Sequence, residues 1–147
     1  MNIKAILNGK IIINDEIVED QILLFEETII GIVDDIMMSD EDDLEIIDAK
    51  GAYVSAGFID VFVHGAGGVD VMDATPQALE TLSKTLLQTG TTSFLAATMT
   101  MSTQAIQNAL ENVKVHASNV SGAKILGVHL EGPWINPSKH GAQDKLH

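Results

Sequence analysis

The chain has 147 residues, which is enough for one ordinary domain with a buried core. Its 21 acidic and 8 basic residues give a formal net charge of −13, so a nucleic-acid backbone or an anionic membrane surface would be repelled. There are no cysteines, which excludes disulfides and thiolate catalysis, and any bound metal must be held by His, Asp or Glu. We therefore expect small-molecule or protein partners, and neither nucleic acid nor membrane.

The sequence has no feature of a targeting or membrane-spanning segment. Residues 1–7 lack a basic stretch followed by a long apolar run and a cleavage site. Polar residues interrupt every apolar run before the roughly 18 residues of a membrane span, so we expect a cytoplasmic protein. Much of the negative charge lies at residues 34–35 and 39–43, which we interpret as a solvated loop.

Residues 1–53 consist of short stretches rich in Ile and Val, separated by turn signals such as Asn8-Gly9. Their spacing indicates a small antiparallel sheet or half of a β-sandwich over residues 1–53. The predicted strands cover residues 4–7, 10–13, 21–25, 29–33 and 44–48.

A different pattern begins in the second part of the chain, where apolar strands alternate with helices. Residues 58–63 form a nearly continuous apolar run, as expected of a parallel strand buried on both faces. The glycine-rich residues 65–68 follow, but they lack the third glycine of a dinucleotide-binding fingerprint. Thr75 and Pro76 predict the N-cap and first turn of a helix that Gly90 ends.

Two further strands, at residues 93–98 and 124–130, flank a second predicted helix. Ser102 or Thr103 caps this helix, and Gly122 ends it. The resulting order, βαβαβ, favours a parallel α/β architecture, in which right-handed crossovers bring the carboxyl ends of all three strands to one face.

The strand ends at that face are His64, Thr98 and Glu131, and ligand sites of parallel sheets lie there. Glu131 follows an apolar strand and is either a rim glutamate or a metal-binding or catalytic carboxylate. His64 is either a hydrogen-bonded structural residue or a ligand. Asp60 lies deeper on the same side and is expected to support the site by hydrogen bonds. We expect His129 to point to the opposite side, toward a helix.

The segment after Pro133 is rich in polar donors. Lys139, His140 and the backbone amides around Gly141 and Ala142 either hold an anionic group or sugar hydroxyls, or belong to an ordinary surface loop.

Three segments, at residues 56–65, 91–95 and 127–135, carry a family resemblance together. The most specific piece is His-Leu-Glu-Gly-Pro at residues 129–133, followed by an aromatic residue and later by Lys-x-Gly-Ala at residues 139–142. In order and spacing these segments resemble the N-acetylglucosamine-6-phosphate deacetylases of the amidohydrolase superfamily. The resemblance runs over essentially the whole chain.

The resemblance implies an α/β fold, in which a small β-sandwich precedes a (β/α)8 TIM barrel. Residues 1–53 would then be the N-terminal part of the small β-sandwich domain, and residues 54–147 would be the first three strands and two helices of a metal-dependent hydrolase barrel. The implied reaction is hydrolysis of N-acetylglucosamine 6-phosphate, an amino-sugar phosphate, to glucosamine 6-phosphate and acetate.

The resemblance also implies a site that this chain holds only in part. Glu131 would bind a divalent metal, zinc or iron, with two histidines from later strands, and an aspartate beyond His147 would be the general base. The loop from Lys139 to Gln143 would lie near the sugar phosphate. Many relatives carry His-x-His where this chain has Phe62 and His64, so a single metal ion is expected, with His64 as a second candidate ligand.

The sequence stops just after the third predicted strand, and we expect a fragment that is inactive alone. An unpaired sheet edge predicts aggregation, a homo-oligomer such as a dimer, or association with the remainder of the barrel. Two alternatives stay open: a non-catalytic remnant stabilised by self-association, and another amidohydrolase, such as a dihydroorotase-like cyclic-amide hydrolase.

Overall fold

The computed structural model describes residues 3–35 and 44–144. The solvated loop predicted at residues 39–43 lies outside the described residues, as do the first two residues of the chain. The fold divides into two compact units, Met1–Ala56 and Gly57–His147. Within the described ranges, no helix is long and apolar enough to cross a membrane.

The first unit is made of short strands in two sheets. One sheet has the order β5-β4-β1-β6, and the other has the order β3-β2-β7. The strands are β1 (Ile3–Leu7), β2 (Lys10–Ile13), β3 (Glu16–Val18), β4 (Ile22–Phe25), β5 (Ile29–Val33), β6 (Leu44–Asp48) and β7 (Tyr53–Val54).

The expectation of an antiparallel sheet in this unit is wrong in part. Strands β1 and β4 pair antiparallel, but β6 pairs parallel with β1, and β7 pairs parallel with β2. Strand β3 was also missed, because three residues that begin with a glutamate, Glu16, are too short for a period-2 signal. It forms a tight hairpin with β2, and Asn14 and Asp15 adopt the positive φ angles of the turn.

The second unit has a parallel three-stranded sheet in the order β12-β11-β8. A two-residue turn at Gly67-Gly68, both with positive φ, joins a short hairpin that the sequence did not reveal. The elements are β8 (Phe58–Val63), β9 (Gly65–Ala66), β10 (Val69–Asp70), a 3₁₀ turn (Val71–Asp73), α1 (Pro76–Gln88), β11 (Thr91–Ala97), α2 (Thr103–His116), a 3₁₀ turn (Ala117–Asn119) and β12 (Lys124–His129).

The start of each helix is as predicted, but the end of α2 is not. The Thr75 hydroxyl caps α1 by accepting the N–H of Ala78, and the Ser102 hydroxyl caps α2 by accepting the N–H of Ala105. Helix α2 ends at His116, six residues before Gly122. Gly122 therefore does not end the helix, and its role lies elsewhere in the unit.

Gly122 lies where the chain enters β12, against the middle of α1. Its N–H donates to the hydroxyl of the fully buried Ser83, and that hydroxyl donates to the carbonyl of Ala123. The N–H of Ala123 in turn donates to the carbonyl of Ser83. A Cβ at Gly122 would stand 2.5 Å from the backbone carbonyl of Ser83, so only glycine allows this close approach.

The core of the second unit lies between the helices and one face of the sheet. Leu79 and Leu82 of α1 and Phe94 of β11 are completely buried there. The prediction that residues 58–63 are buried on both faces is wrong, because β8 is an edge strand of the described sheet and the helices cover one face. Its exposed apolar side chains are Phe58, Ile59, Val61 and Phe62, with 67%, 64%, 58% and 44% of their surface accessible.

Glu80 of α1 ties the helix to the segment before β12. Its carboxylate accepts the ammonium of Lys84 at 2.8 Å, the hydroxyl of Ser121 at 2.6 Å and the N–H of Ser121 at 3.0 Å. The Lys84 ammonium first, and then the two Ser121 groups, lower the pKa of Glu80 from 4.5 to about 2.

Replacing Glu80 with Gln should make stability depend less on pH. A lowered pKa stabilises the fold above the unfolded value of 4.5, and this contribution is lost as pH falls from 4.5 to about 2. Urea unfolding should therefore show Glu80→Gln less stable than the wild type at pH 6, with the difference vanishing near pH 2. Ser118→Ala, at an exposed serine nearby, is the control and should follow the wild-type profile.

Candidate metal centre

The parallel pairing of β8, β11 and β12 places their carboxyl ends side by side. His64, which follows β8, and Glu131, which follows β12, meet there although they are far apart in sequence. The imidazole Nε2 of His64 lies 3.0 Å from the carboxylate Oε2 of Glu131, and the side chains are 27% and 25% exposed. The structure therefore brings together the two predicted metal-site residues.

The imidazole of His64 is held in one orientation by the central strand. Its Nδ1 lies 3.3 Å from the carbonyl oxygen of Ala97. A carbonyl can only accept a hydrogen bond, so Nδ1 carries the proton. In this tautomer the lone pair of Nε2 faces Glu131, and a backbone carbonyl on the other ring nitrogen is a usual partner of metal-bound histidines.

The carboxylate of Glu131 faces this lone pair without a hydrogen bond. Its Oε2 is buried, and no described residue satisfies it with a donor of suitable alignment, although Nε2 of His64 is only 3.0 Å away. Two electron-rich atoms at this distance are stabilised by a proton or a metal cation between them. The ligand bonds of zinc to His nitrogen and carboxylate oxygen are about 2.0–2.2 Å long, so two atoms 3.0 Å apart fit one ion.

The pair is only part of a metal site. Among residues 3–35 and 44–144, no group of three His, Asp or Glu side chains could hold a metal ion. Structural and catalytic zinc sites need at least three protein ligands. The arrangement therefore fits a divalent metal in the identity of its donors and supplies two of them.

His129 lies on the same face as this pair, which corrects the expectation that it points toward a helix. The ring of Phe62 makes edge contacts with His64 and with His129, at centroid distances of 4.8 Å and 4.6 Å. His129 and Glu131 are two positions apart, and an extended backbone turns alternate residues to the same side. The face thus carries an aromatic row, His64-Phe62-His129, next to Glu131.

The row spans two strand spacings, about 9–10 Å between the β8 and β12 backbones. The rings of Phe62 and His129 meet across β11. Ala97, the register partner of His129 on β11, is completely buried and has only a methyl side chain. The small side chain of Ala97 leaves room for the rings of Phe62 and His129 to approach each other.

Asp60 hydrogen-bonds within its own strand. Its Oδ1 accepts the backbone N–H of Phe62 at 3.0 Å. This bond fits the expectation that Asp60 accepts hydrogen bonds. It supports the backbone of β8 next to the site, and a role of Asp60 toward a metal ligand stays a prediction.

The loop after Pro133 is linked to the end of β11 by Gln143. Its side-chain Oε1 accepts the N–H of Thr100 at 3.0 Å, and its backbone carbonyl accepts Nδ1 of His140 at 2.8 Å. The loop is folded on itself, since the N–H of Lys139 donates to the carbonyl of Asn136 and Gly141 has a φ of 60°. Gln143 is thus brought to the site face, and a substrate-binding role of residues 139–143 stays a prediction.

Sequence reasoning missed the groups that hold the site together. Thr98 was recognised as a strand end, but its hydroxyl both accepts the N–H of Glu131 at 3.2 Å and donates to the carbonyl of Glu131 at 3.3 Å. The carbonyl of Ala97 that orients His64 is a backbone group. Neither contact leaves a trace in the sequence, because every strand end has carbonyls and threonine is common in strands.

The curated proteins that this chain resembles in sequence are deacetylases of amino-sugar phosphates. No protein-family model matches the chain. The chain is 45% identical over 93 residues to the N-acetylglucosamine-6-phosphate deacetylase of Bacillus subtilis (strain 168), covering 60% of this chain and 24% of the relative. It is 38% identical over 86 residues to the N-acetylgalactosamine-6-phosphate deacetylase of Escherichia coli O157:H7, covering 58% of this chain and 23% of the relative.

The fold of the chain is also similar to that of a deacetylase of this kind. The crystal structure of N-acetylglucosamine-6-phosphate deacetylase from Pasteurella multocida matches it with a TM-score of 0.85 and 27% identity, over 97% of this chain and 37% of that chain. The chain spans about a quarter of the length of the curated relatives it matches. The resemblance inferred from the three sequence segments is confirmed: in sequence and in fold, this chain is similar to part of the N-acetylglucosamine-6-phosphate deacetylases.

Proposed function

We propose that this chain contributes to a metal-dependent hydrolase that deacetylates N-acetylglucosamine 6-phosphate in amino-sugar catabolism. In that reaction the amide C–N bond breaks, water supplies the oxygen of acetate, and the nitrogen leaves as the amine of glucosamine 6-phosphate. The observation that carries the proposal is the 3.0 Å approach of His64 Nε2 to Glu131 Oε2 without a hydrogen bond, in a chain similar to part of the deacetylases.

We propose that β8, β11 and β12 are the first three strands of a (β/α)8 barrel and that residues 1–53 are part of a β-sandwich. The parallel order β12-β11-β8 and the helices α1 and α2 between these strands support the barrel. The two small sheets of the first unit support the sandwich.

One divalent metal ion, zinc or iron, is proposed to bind at Glu131 and His64, with the remaining ligands outside this chain. When bound, the metal supplies a water molecule that ionises near neutral pH and polarises the amide carbonyl of the substrate. Phe62 lies beside His64 and offers no ligand atom, which supports a single ion. The general base is likewise proposed to lie outside the chain, so that the chain alone is inactive.

Residues 139–143 are proposed to bind the sugar phosphate. The Lys139 ammonium suits an anionic group as a point charge. The imidazole of His140 is fixed through Nδ1 by the carbonyl of Gln143, which leaves the lone pair of Nε2 to accept a hydrogen bond from a sugar hydroxyl. Gly141, with its positive φ, presents neighbouring backbone amides at the turn.

The partner surface is proposed to be the apolar edge of the second unit. Phe58 and Ile59 of β8 and Leu126 of β12 are each more than half exposed, and both strands lie at the edges of the described sheet. The remainder of the barrel, or a second copy in a homodimer, would cover these residues. The proposed location is the cytoplasm.

A chimera tests the proposed reaction. The matching segment of the Bacillus subtilis deacetylase is replaced by this chain, which supplies Glu131 and His64 to an otherwise complete protein. Zinc or Fe²⁺ should then support acetate release from N-acetylglucosamine 6-phosphate. The relative with its matching segment deleted is the control and should release none.

The same assay separates the alternatives. N-acetylgalactosamine 6-phosphate, the substrate in the name of the Escherichia coli relative, differs at one hydroxyl, and a higher kcat/KM for it would reassign the substrate. Hydrolysis of a cyclic amide instead of either sugar would favour another amidohydrolase. A folded, metal-loaded chimera without any amide hydrolysis would contradict the proposal and favour the non-catalytic, self-associating remnant.

A further inference from the structure

Two consecutive residues at the end of the central strand hold both candidate ligands. The carbonyl of Ala97 accepts Nδ1 of His64, and the hydroxyl of Thr98 hydrogen-bonds the backbone of Glu131. Both Ala97 and Thr98 are completely buried. The ligands stand on the outer strands of the described sheet, and the middle strand between them orients both.

Just past the last paired residues of β11 and β12, the Thr98 hydroxyl takes the place of a backbone partner for Glu131. The last paired position is Ala97 with His129, and the N–H of Thr98 still donates to the carbonyl of His129 at 3.1 Å. At Glu131 the partner is instead a side chain: the Thr98 Oγ1 accepts the Glu131 N–H and donates to the Glu131 carbonyl. Gly132, with a φ of +73°, then turns the chain away.

We propose that Thr98 is the positioning residue of the metal site, which fixes the backbone of Glu131 so that its carboxylate faces Nε2 of His64. The inference rests on the proposed function, in which Glu131 and His64 bind the metal. Thr98 itself has no contact to the proposed metal, since its single hydroxyl is used by the two Glu131 bonds. It is therefore neither a ligand nor a catalytic residue.

The backbone of a free strand end samples several conformations, and most of them carry the carboxylate away from the position that the ion requires. Two hydrogen bonds to the same residue restrict both φ and ψ of Glu131, which leaves only its side-chain torsions. Partners that orient a ligand in this way typically change metal affinity by about 10–100-fold when removed. A role confined to strand stability would instead lower the melting temperature and leave the affinity of the folded protein unchanged.

Zinc titration of the chimera with the Bacillus subtilis deacetylase tests the inference, because the proposed metal site is complete only there. Competition with a chromophoric zinc chelator of known affinity gives the dissociation constant of each variant. Thr98→Val keeps the shape of the side chain and removes the hydroxyl. It should weaken zinc binding about tenfold or more relative to the wild type. Thr98→Ser keeps the hydroxyl and should restore an affinity close to that of the wild type.

Two further measurements make the outcome decisive. Circular dichroism at the titration temperature shows whether Thr98→Val is folded, and amide exchange of Glu131 should be faster in Thr98→Val than in Thr98→Ser. Equal zinc affinities of the wild type and a folded Thr98→Val, with affinity lost in Glu131→Gln, would overturn the positioning role alone. Equal affinities of the wild type and Glu131→Gln would overturn the proposed metal site and this inference with it.

Discussion

Glu131→Gln in the chimera with the Bacillus subtilis deacetylase is expected to remove metal-supported acetate release. The neutral amide is a weak ligand for a divalent ion, and the proposed metal site would lose the one carboxylate that the described residues supply to it. Loss of a ligand should cost more than the roughly 10–100-fold typical of a partner that only orients one. The measurement is kcat/KM for N-acetylglucosamine 6-phosphate together with bound metal per protein.

The same substitution should leave the metal-free 147-residue chain at least as stable as the wild type. In the wild type, the buried Oε2 of Glu131 faces Nε2 of His64 without a hydrogen bond. The side-chain amide of Gln can donate to that nitrogen, and a partly buried charge is removed. Lost activity with unchanged or higher thermal stability therefore identifies a functional carboxylate.

Glu111→Gln is the matched control. Glu111 lies on α2 and pairs with Lys114 on the surface, where both side chains are well exposed. Its replacement should leave metal content and kcat/KM as in the unsubstituted chimera. If Glu131→Gln behaved like Glu111→Gln in the assay, the site assignment would be wrong.

Gly122→Ala is expected to destabilise the second unit by about 3 kcal/mol, at the upper end of overpacking effects. The added Cβ would lie 2.5 Å from the carbonyl carbon and oxygen of Ser83 and 2.7 Å from the nitrogen of Lys84. These are backbone atoms of the helix α1, which cannot rotate away as a side chain could. Relief requires α1 and the start of β12 to separate, which would break the hydrogen bonds between Ser83 and Ala123.

Gly127→Ala is the control for this substitution, because Gly127 lies in β12 itself. A Cβ there would meet only Leu95 Cδ2 at 3.6 Å, an ordinary van der Waals distance. Alanine also has less conformational entropy to lose in a strand, so the change should be neutral or stabilising by up to about 0.5–1 kcal/mol. Urea unfolding monitored by circular dichroism compares the two, and equal stabilities would contradict the close-approach role of Gly122.

Features with a local cause could be predicted from the sequence. The helix α1 starts where Thr75 and Pro76 place it, because a hydroxyl cap and a first-turn proline act on the neighbouring backbone alone. The proximity of His64 and Glu131 at the carboxyl ends of the strands could also be predicted from the sequence, because the connections between parallel strands fix their direction.

Features that depend on distant partners could not be predicted in this way. Gly122 was interpreted as a helix stop because glycine often ends helices, whereas its partner is Ser83, on the preceding helix. The apolar run of β8 indicated a strand buried on both faces, but apolar composition does not tell which neighbours are present. The placement of His129 is a different case, because its spacing of two from Glu131 was enough to predict that both side chains lie on one side of the sheet. The expectation of the opposite side was wrong, and the contact with Phe62 corrects it.

The carbonyl of Ala97 and the hydroxyl of Thr98 have a consequence for how such a site can change over evolution. The groups that orient the candidate ligands lie at the end of β11, whereas the ligands themselves follow β8 and β12. A backbone carbonyl cannot be removed by a point mutation. A substitution of Phe62 could therefore add a ligand while the orientation of His64 and Glu131 is inherited unchanged. The number of metal ions in the proposed site could then change while the groups that orient its ligands stay the same.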